Sequence, residues 1–301
     1  LAEAVLILSS SGVRRVREFN WFERPEPRAL DEAIERLCLL GALDENEDLT
    51  ADGRAMGALP VPPRFGRILL EASRHGCLEY FALLTALTQS CPLFLSRKTH
   101  SEQLMPSDFA RPDDVSDFQA LIRAWNEMQR QQFRREAGEQ LGIHAGAARD
   151  VARVADQIIR LASRWSGEGA YIAEPDGNLI ARILLSGFSD RLALRHSTAT
   201  LSCSVIGGRR GQLEKDSVSA TKETRLFIAG EMIEIEGKDV AVKLGLCTRV
   251  EESCLHDLFP NDFDEKDGAV YDERNRRVEA RRERRFRDLV LATKPSGTVP
   301  P

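Results

Sequence analysis

The sequence predicts a protein of several domains, mainly α-helical and ending in a small β-barrel. Three observations predict it. Residues 34–70 read as helix, short hairpin, short helix, proline-marked exit and helix. Apolar residues then recur at helical spacing from 65 to 173. After residue 178 the period switches towards two, with glycine turns between short runs. The 301 residues suit two or three domains at roughly 100–200 residues each. The boundaries fall as 1–17, 18–64, 65–173 and 174–301.

In residues 1–17, Val5, Leu6 and Leu8 are apolar and Gly12 breaks the segment. The run has no basic leader and no methionine, so the chain reads as an excised piece of a larger protein. Phe19, Trp21, Phe22 and Pro25 follow. Trp21 could stack on a base, but an aromatic cluster beside prolines reads as core. Leu30, Ile34, Leu37 and Cys38 share a helix face, and Gly41 stops that helix in the left-handed cap only glycine takes freely. Ala42–Asp44 and Leu49-Thr50 flank the polar turn Glu45–Asp48 as a two-stranded wing. Thr50 caps a helix over 51–58, which Pro60, Pro62 and Pro63 end. A helix plus hairpin of this kind is a degenerate winged-helix module.

The next segment is a helical bundle. Phe65, Ile68, Leu69 and Ala72 lie at helical spacing, and Leu78–Leu87 is apolar enough to be buried. Cys91–Val115 is irregular, with three prolines, and a loop of that length is commonly functional or mobile. Ser116 caps a helix that turns Phe118, Leu121, Ile122, Trp125 and Met128 inward. A further helix over 145–165 places Val151, Val154, Ala155, Ile158 and Ala162 on one face. Beyond a helical Leu179–Leu185, the runs Leu201–Ile206, Arg225–Ile235 and Val240–Val250 are strands. Gly207-Gly208, Gly230 and Gly237-Lys238 turn them, and a helix lies near Glu251–Leu258. Short strands with glycine turns suit a five-stranded barrel of the OB type, whose open face commonly holds single strands. The mixed charge run Tyr271–Asp288 reads as a solvated face.

The chemistry-bearing patterns are few. The chain has no G-x-x-x-x-G-K-[ST] to cradle a nucleotide's phosphates. Asp31-Glu32-Ala33-Ile34 imitates a DEAH box by letter only, because it sits on an amphipathic helix. The five histidines lack paired spacing, and the six cysteines lack a C-x2-C pair, which argues against zinc and for buried free thiols of a cytoplasmic protein. No apolar run approaches the roughly 20 residues that cross a bilayer. The net charge is −5, but residues 181–225 hold eight basic against four acidic side chains and residues 231–267 four against eleven. Such asymmetry steers a polyanion to one side. The candidate binders are therefore basic. Arg209 and Arg210, in Gly207-Gly208-Arg209-Arg210-Gly211, combine close backbone approach with bidentate donors for phosphate. Lys215 lies just beyond them. Ser96, Arg97 and Lys98 form a second patch. Arg191 and Arg195 are either further contacts or partners of Asp190 and the acidic stretch.

The words of the first domain are specific as well as their pattern. LGALDxxxxLTxxGRxMxxLPxxPRxxxxLL, then Arg74-His75-Gly76-Cys77, Pro92-Leu93-Phe94, Ser116-Asp117 and Trp125-Asn126, resembles the helicase-associated region of DEAH/RHA-type RNA helicases. Leu184–Arg191 with Ala193 and Arg195 is most similar to the bacterial HrpB branch. The resemblance implies that residues 1–17 leave a RecA-like motor domain, that the bundle is a ratchet-like domain, and that winged helix, bundle and barrel line an RNA channel. It also implies single-stranded RNA and the RecA-like domains of the same polypeptide as partners, with ATP and Mg held by the motor and no cofactor or catalytic residue here. A protein-docking platform for a helicase activator is the alternative; no membrane partner is expected.

Overall fold

A computed structural model describes residues 1–95, 104–165, 170–221, 223–235, 241–272 and 277–295. The chain forms two compact units: residues 1–112 with 118–187, and residues 113–117 with 188–301.

The first unit begins with helices α1 (Ala2–Ser10), α2 (Pro27–Leu39) and α3 (Ala51–Gly57). Val5 and Leu6 of α1 bury in one core with Leu30, Ile34, Leu37, Leu43 and Met56. The segment expected only as an exit from another domain is thus part of this core. Trp21 packs on the same core and meets Phe19 edge-on at 5.3 Å. The wing forms where expected. Leu43 bridges Leu49, and the Asp44 carboxylate accepts from Asn46 N–H and Asp48 N–H at 2.8 and 2.9 Å. Thr50 Oγ1 accepts from Gly53 N–H at 2.8 Å as the cap of α3. Asp31 and Glu32 pair with Arg17 and Arg28, as surface acids of α2.

Helices α4 (Pro63–Arg74), α5 (Leu78–Gln89), α6 (Asp117–Arg130, from Phe118), α7 (Arg135–Leu141), α8 (Ala145–Ala162) and α9 (Gly177–Phe188, as far as Gly187) build the rest of this unit. Helix α4 packs against both α3 and α5, so the winged part and the bundle are continuous. Helix α5 also packs on α8, which explains why Phe81, Ala82, Leu84 and Ala86 are all fully buried. Trp125 Nε1–H donates to Ala148 O at 2.9 Å, locking α6 to α8.

The second unit holds a closed barrel of β1 (Leu192–Arg195), β2 (Ser202–Val205), β3 (Arg209–Leu213), β4 (Leu226–Ile235) and β5 (Ala241–Arg249), in the order β1-β2-β3-β5-β4. All pairings are antiparallel except β3 with β5, which is parallel. Ala193, Cys203, Val205, Leu213, Phe227, Val242, Leu244 and Cys247 fill the interior. Gly211 also faces inward. A Cβ there would come within 2.6 Å of the Leu244 side chain and 3.0 Å of Val205, so a larger residue would have to displace Leu244 within the barrel. Leu246 takes left-handed backbone (φ 50°) within β5, and the register is the same on either side of it, at the Ala229–Cys247 and Glu231–Gly245 pairs. The Gly237-Lys238 turn lies outside the described residues.

Three findings differ from the sequence expectation. The end of the irregular stretch is firmly held: Arg249 N–H donates to Val115 O at 2.7 Å, and Ser116 Oγ lies 2.7 Å from Thr248 Oγ1. Strands β1 and β3 were not anticipated. Nor was the antiparallel sheet of β6 (Phe263–Asp272), β7 (Arg277–Phe286) and β8 (Leu289–Pro295), which follows helix α10 (Glu252–Leu258). The mixed charge run is thus mostly strand. Arg282 pairs with Asp267, Arg284 with Glu252 and Arg285 with Glu283. Arginines of β7 therefore neutralise part of the acidic stretch locally, which weakens the long-range charge asymmetry the sequence suggests.

Candidate nucleic-acid interface

The barrel's register decides where each basic side chain goes. Leu194, Ser204, Arg210 and Ala241 form one cross-strand row over β1, β2, β3 and β5, and Ser202, Gln212 and Lys243 form another. Between these rows lies Cys203, Gly211 and Val242, whose positions face the core. Since successive residues of a strand point to opposite faces, Arg210, Gln212 and Lys243 project outward, and all three are exposed. His196, just past β1, places Nε2 at 2.9 Å from Ser204 Oγ. The outer face of β1-β2-β3-β5 is thus a small polar surface of His196, Ser202, Ser204, Arg210, Gln212 and Lys243.

The predicted basic residues divide on this geometry. Arg210 and Lys215 are exposed and have no partner among the described residues. Arg209 stands across from Val205, on the inner side of β3 at the mouth of the barrel. Its Nε and Nη2 donate to Ile206 O at 3.1 and 3.0 Å, and Nη2 also donates to Asp190 O at 3.1 Å. The two adjacent arginines therefore do not form a joint fork on one phosphate. Arg191 donates to Gly230 O at 2.6 Å and lies over the Phe188 ring.

Arg195 leaves the candidate set. It is 2% exposed. Nε donates to Thr200 O at 3.0 Å, Nη1 to Thr221 O and Thr224 O at 2.6 and 3.3 Å, and Nη2 to Thr198 O at 2.9 Å. A guanidinium spent on four carbonyls organises loops; it does not meet a ligand. Ser96, Arg97 and Lys98 lie outside the described residues.

Gly207 and Gly208 carry left-handed backbone (φ 86° and 68°), which permits the tight β2–β3 turn. Their two N–H groups both donate to Asp288 Oδ2 at 2.8 Å. The amides expected to approach a phosphate are thus already engaged by a carboxylate.

Neighbouring groups set the local charge. Glu214, hydrogen-bonded to Lys243 Nζ at 2.5 Å, raises the lysine's pKa, which keeps it protonated while the carboxylate offsets its charge. Asp117, half-buried beside β5, accepts from Val218 N–H, Ser217 Oγ–H and Cys247 N–H at 2.7–2.8 Å. Burial pushes its carboxyl up to about 6 against the downward pull of those bonds. The Cys203 thiol is pushed up to about 11 by burial, and that of Cys247 rises for the same reason, so both are unreactive interior groups. The sequence gives no linear signal for Lys243, which reaches the face only through the parallel β3–β5 pairing. Arg210 and Gln212 were legible in principle, because Gly211 and Leu213 alternate with them.

Known proteins carry the same order of parts. Residues 33–61 match the family described as "Helicase associated domain (HA2), winged-helix", and residues 62–142 the one described as "Helicase associated domain (HA2), ratchet-like". The ATP-dependent RNA helicase HrpA of Escherichia coli is 32% identical over 139 residues, 44% of this chain and 10% of the relative. The probable ATP-dependent RNA helicase DHX35 homolog of Caenorhabditis elegans is 23% identical over 274 residues, 88% of this chain and 36% of the relative. The chain thus spans between a tenth and about a third of the length of these two relatives. The crystal structure of the Escherichia coli DEAH/RHA helicase HrpB covers 99% of this chain with a TM-score of 0.61, at 18% identity and over 31% of its own length, a likeness of fold. Residues 33–142 thus carry the winged-helix and ratchet-like helicase-associated domains in tandem, and the whole chain is similar in fold to the DEAH/RHA helicase HrpB.

Proposed function

We propose that this chain is the RNA-binding accessory module of an ATP-dependent RNA helicase and lines its RNA path. Single-stranded RNA crosses the outer face of β1-β2-β3-β5. The RecA-like domains of the same polypeptide hold ATP and Mg, for which this chain has no phosphate cradle. The observation that carries the reading is the outward row containing Arg210 beside the row of Ser202, Gln212 and Lys243, a cation among hydrogen-bonding groups on a barrel. Strand order β1-β2-β3-β5-β4 with β3 parallel to β5 supports an OB-type barrel, whose exposed face suits single strands. The tandem helicase-associated domains, and the likeness to proteins named as RNA helicases, support RNA as the polyanion.

Titration of a labelled single-stranded RNA by this chain across a salt series tests the reading. Affinity should fall with salt through counterion release, and Arg210→Ala and Lys215→Ala should each shallow the log–log slope by roughly 0.7 per lost phosphate contact. Unchanged affinity and slope in the double variant would remove this face from the RNA path. A protein-docking role is favoured by one feature, the complete exposure of Phe22 in the first unit. Association through such apolar surface would persist at high salt.

A further inference from the structure

We infer that the Gly207-Gly208 turn is a binding site for a phosphodiester group of RNA, kept closed by the Asp288 carboxylate. This deepens the RNA-binding reading and rests on it for the source of the phosphate. Two neighbouring amides aimed at one oxygen, each at 2.8 Å, are an anion site already in use. The carboxylate oxygen stands in for a phosphate oxygen, which accepts backbone N–H donors in the same way. Positive charge is fixed beside it. Arg209 is clamped to Ile206 O and Asp190 O, and its Nε would lie 3.6 Å from a Cβ placed on Gly207. Those bonds hold the guanidinium in place without neutralising it.

The plug is also free to leave. Asp288 is exposed, so its carboxylate can be received by water. The β7–β8 turn that carries it is held by other groups. Phe286 and Leu289 on either side are 0% and 2% exposed. Arg287 donates to Asp262 at 2.8 Å, and its N–H to Asp262 O at the same distance. Rotation of one side chain therefore opens the amides while the sheet stays seated. A tethered carboxylate competes at high effective concentration, so free phosphate should lose to it. A phosphate on a strand already held by Arg210 and its neighbours arrives with comparable advantage and displaces it.

The experiment follows the Gly207 and Gly208 amide signals in ¹⁵N–¹H spectra of the full chain. The probes are inorganic phosphate and a single-stranded RNA. In wild type, phosphate should leave both amides in place and RNA should shift them. In Asp288→Ala, phosphate alone should shift them saturably, and RNA should bind more tightly at every salt concentration with its slope unchanged, because the same phosphate is held in both forms. Arg209→Ala added to Asp288→Ala should weaken the phosphate response. Asp288→Asn, of the same shape without the charge, serves if the alanine variant does not fold, and should respond to phosphate in the same sense. Silent amides in a folded Asp288 variant overturn the site, even where RNA binds wild type normally. The converse separates the two ideas: phosphate shifts in the variant with no RNA binding by any form uphold the anion site and sink the RNA reading.

Discussion

Replacing Arg195 separates a loop-organising role from a ligand-binding one. The side chain is 2% exposed and serves four carbonyls. Each charge-assisted bond is worth roughly 1–3 kcal/mol when its acceptor cannot be resolvated. Thr198 and Thr221 are exposed and Thr200 is half-buried, whereas Thr224 is buried, so water can replace most of what alanine removes. Arg195→Ala should then cost about 4–5 kcal/mol, the bottom of the summed range. In a unit of this size that lowers the melting temperature by roughly 4 °C per kcal/mol, enough to unfold the barrel well before the helical unit. Arg195→Lys is the sharper test. Lysine keeps the charge, and a phosphate contact would tolerate it, but a point ammonium cannot reach carbonyls on two separate loops as the planar fork does. The lysine variant should therefore lose about 1–3 kcal/mol, read as an earlier barrel transition in calorimetry, with the salt slope for RNA unchanged while folded. A lysine variant as stable as wild type, or a folded alanine variant with a slope shallower by about 0.7, would refute this assignment.

Three further outcomes follow from the packing and from one half-buried acid. Gly53→Ala gains about 1 kcal/mol of helix propensity, but its Cβ would sit 2.0 Å from the Ala42 carbonyl oxygen, a backbone atom. The strain should win by about 1–2 kcal/mol net, seen as a lower melting temperature for the first unit. Gly57→Ala meets only the Ser10 hydroxyl at such range (2.3 Å), which can rotate away, so it should be neutral or stabilising in the same assay. Asp117, with its carboxyl raised to about 6 in the folded chain, binds its proton more tightly there than when unfolded. Its contribution is therefore greatest below the unfolded pKa of about 3.9 and is lost as pH rises to about 6. Carboxyl NMR should show Asp117 titrating near 6, and Asp117→Asn should remove that part of the pH dependence from the barrel's unfolding.

The first unit was legible because its signals are local. Thr50 caps three residues ahead of itself, and the wing closes over seven residues, from Leu43 to Leu49. Cap, turn and helix face all lie within a window that propensity and periodicity can read. Elements of the second unit are fixed by distant partners. Strand β3, Arg209–Leu213, offers one large apolar side chain, and its inward position 211 is a glycine because Leu244 and Val205 occupy the space. Its pattern therefore looks like a turn. Strands β6 and β7 match acids to arginines across the sheet, as at Asp267 and Arg282, so they read as a solvated charge run until the register is known.

The strand pleat also separates what adjacency in sequence had joined. Arg209 and Arg210 are neighbours in sequence, and adjacency suggested one phosphate clamp. The strand pleat sends them to opposite faces. Arg210 joins Ser204, while Arg209 turns back over the barrel mouth beside the amides that Asp288 fills. Arg195 shows the limit from the other side. Arginine is rarely buried, and nothing within five residues of it reveals that Thr221 and Thr224 will return to receive its guanidinium. In a barrel, what a basic residue can do is set by its row and its face. The chemistry that spacing promised at 209–210 is therefore divided between two places: an exposed cation on the outer face and a closed anion site at the turn.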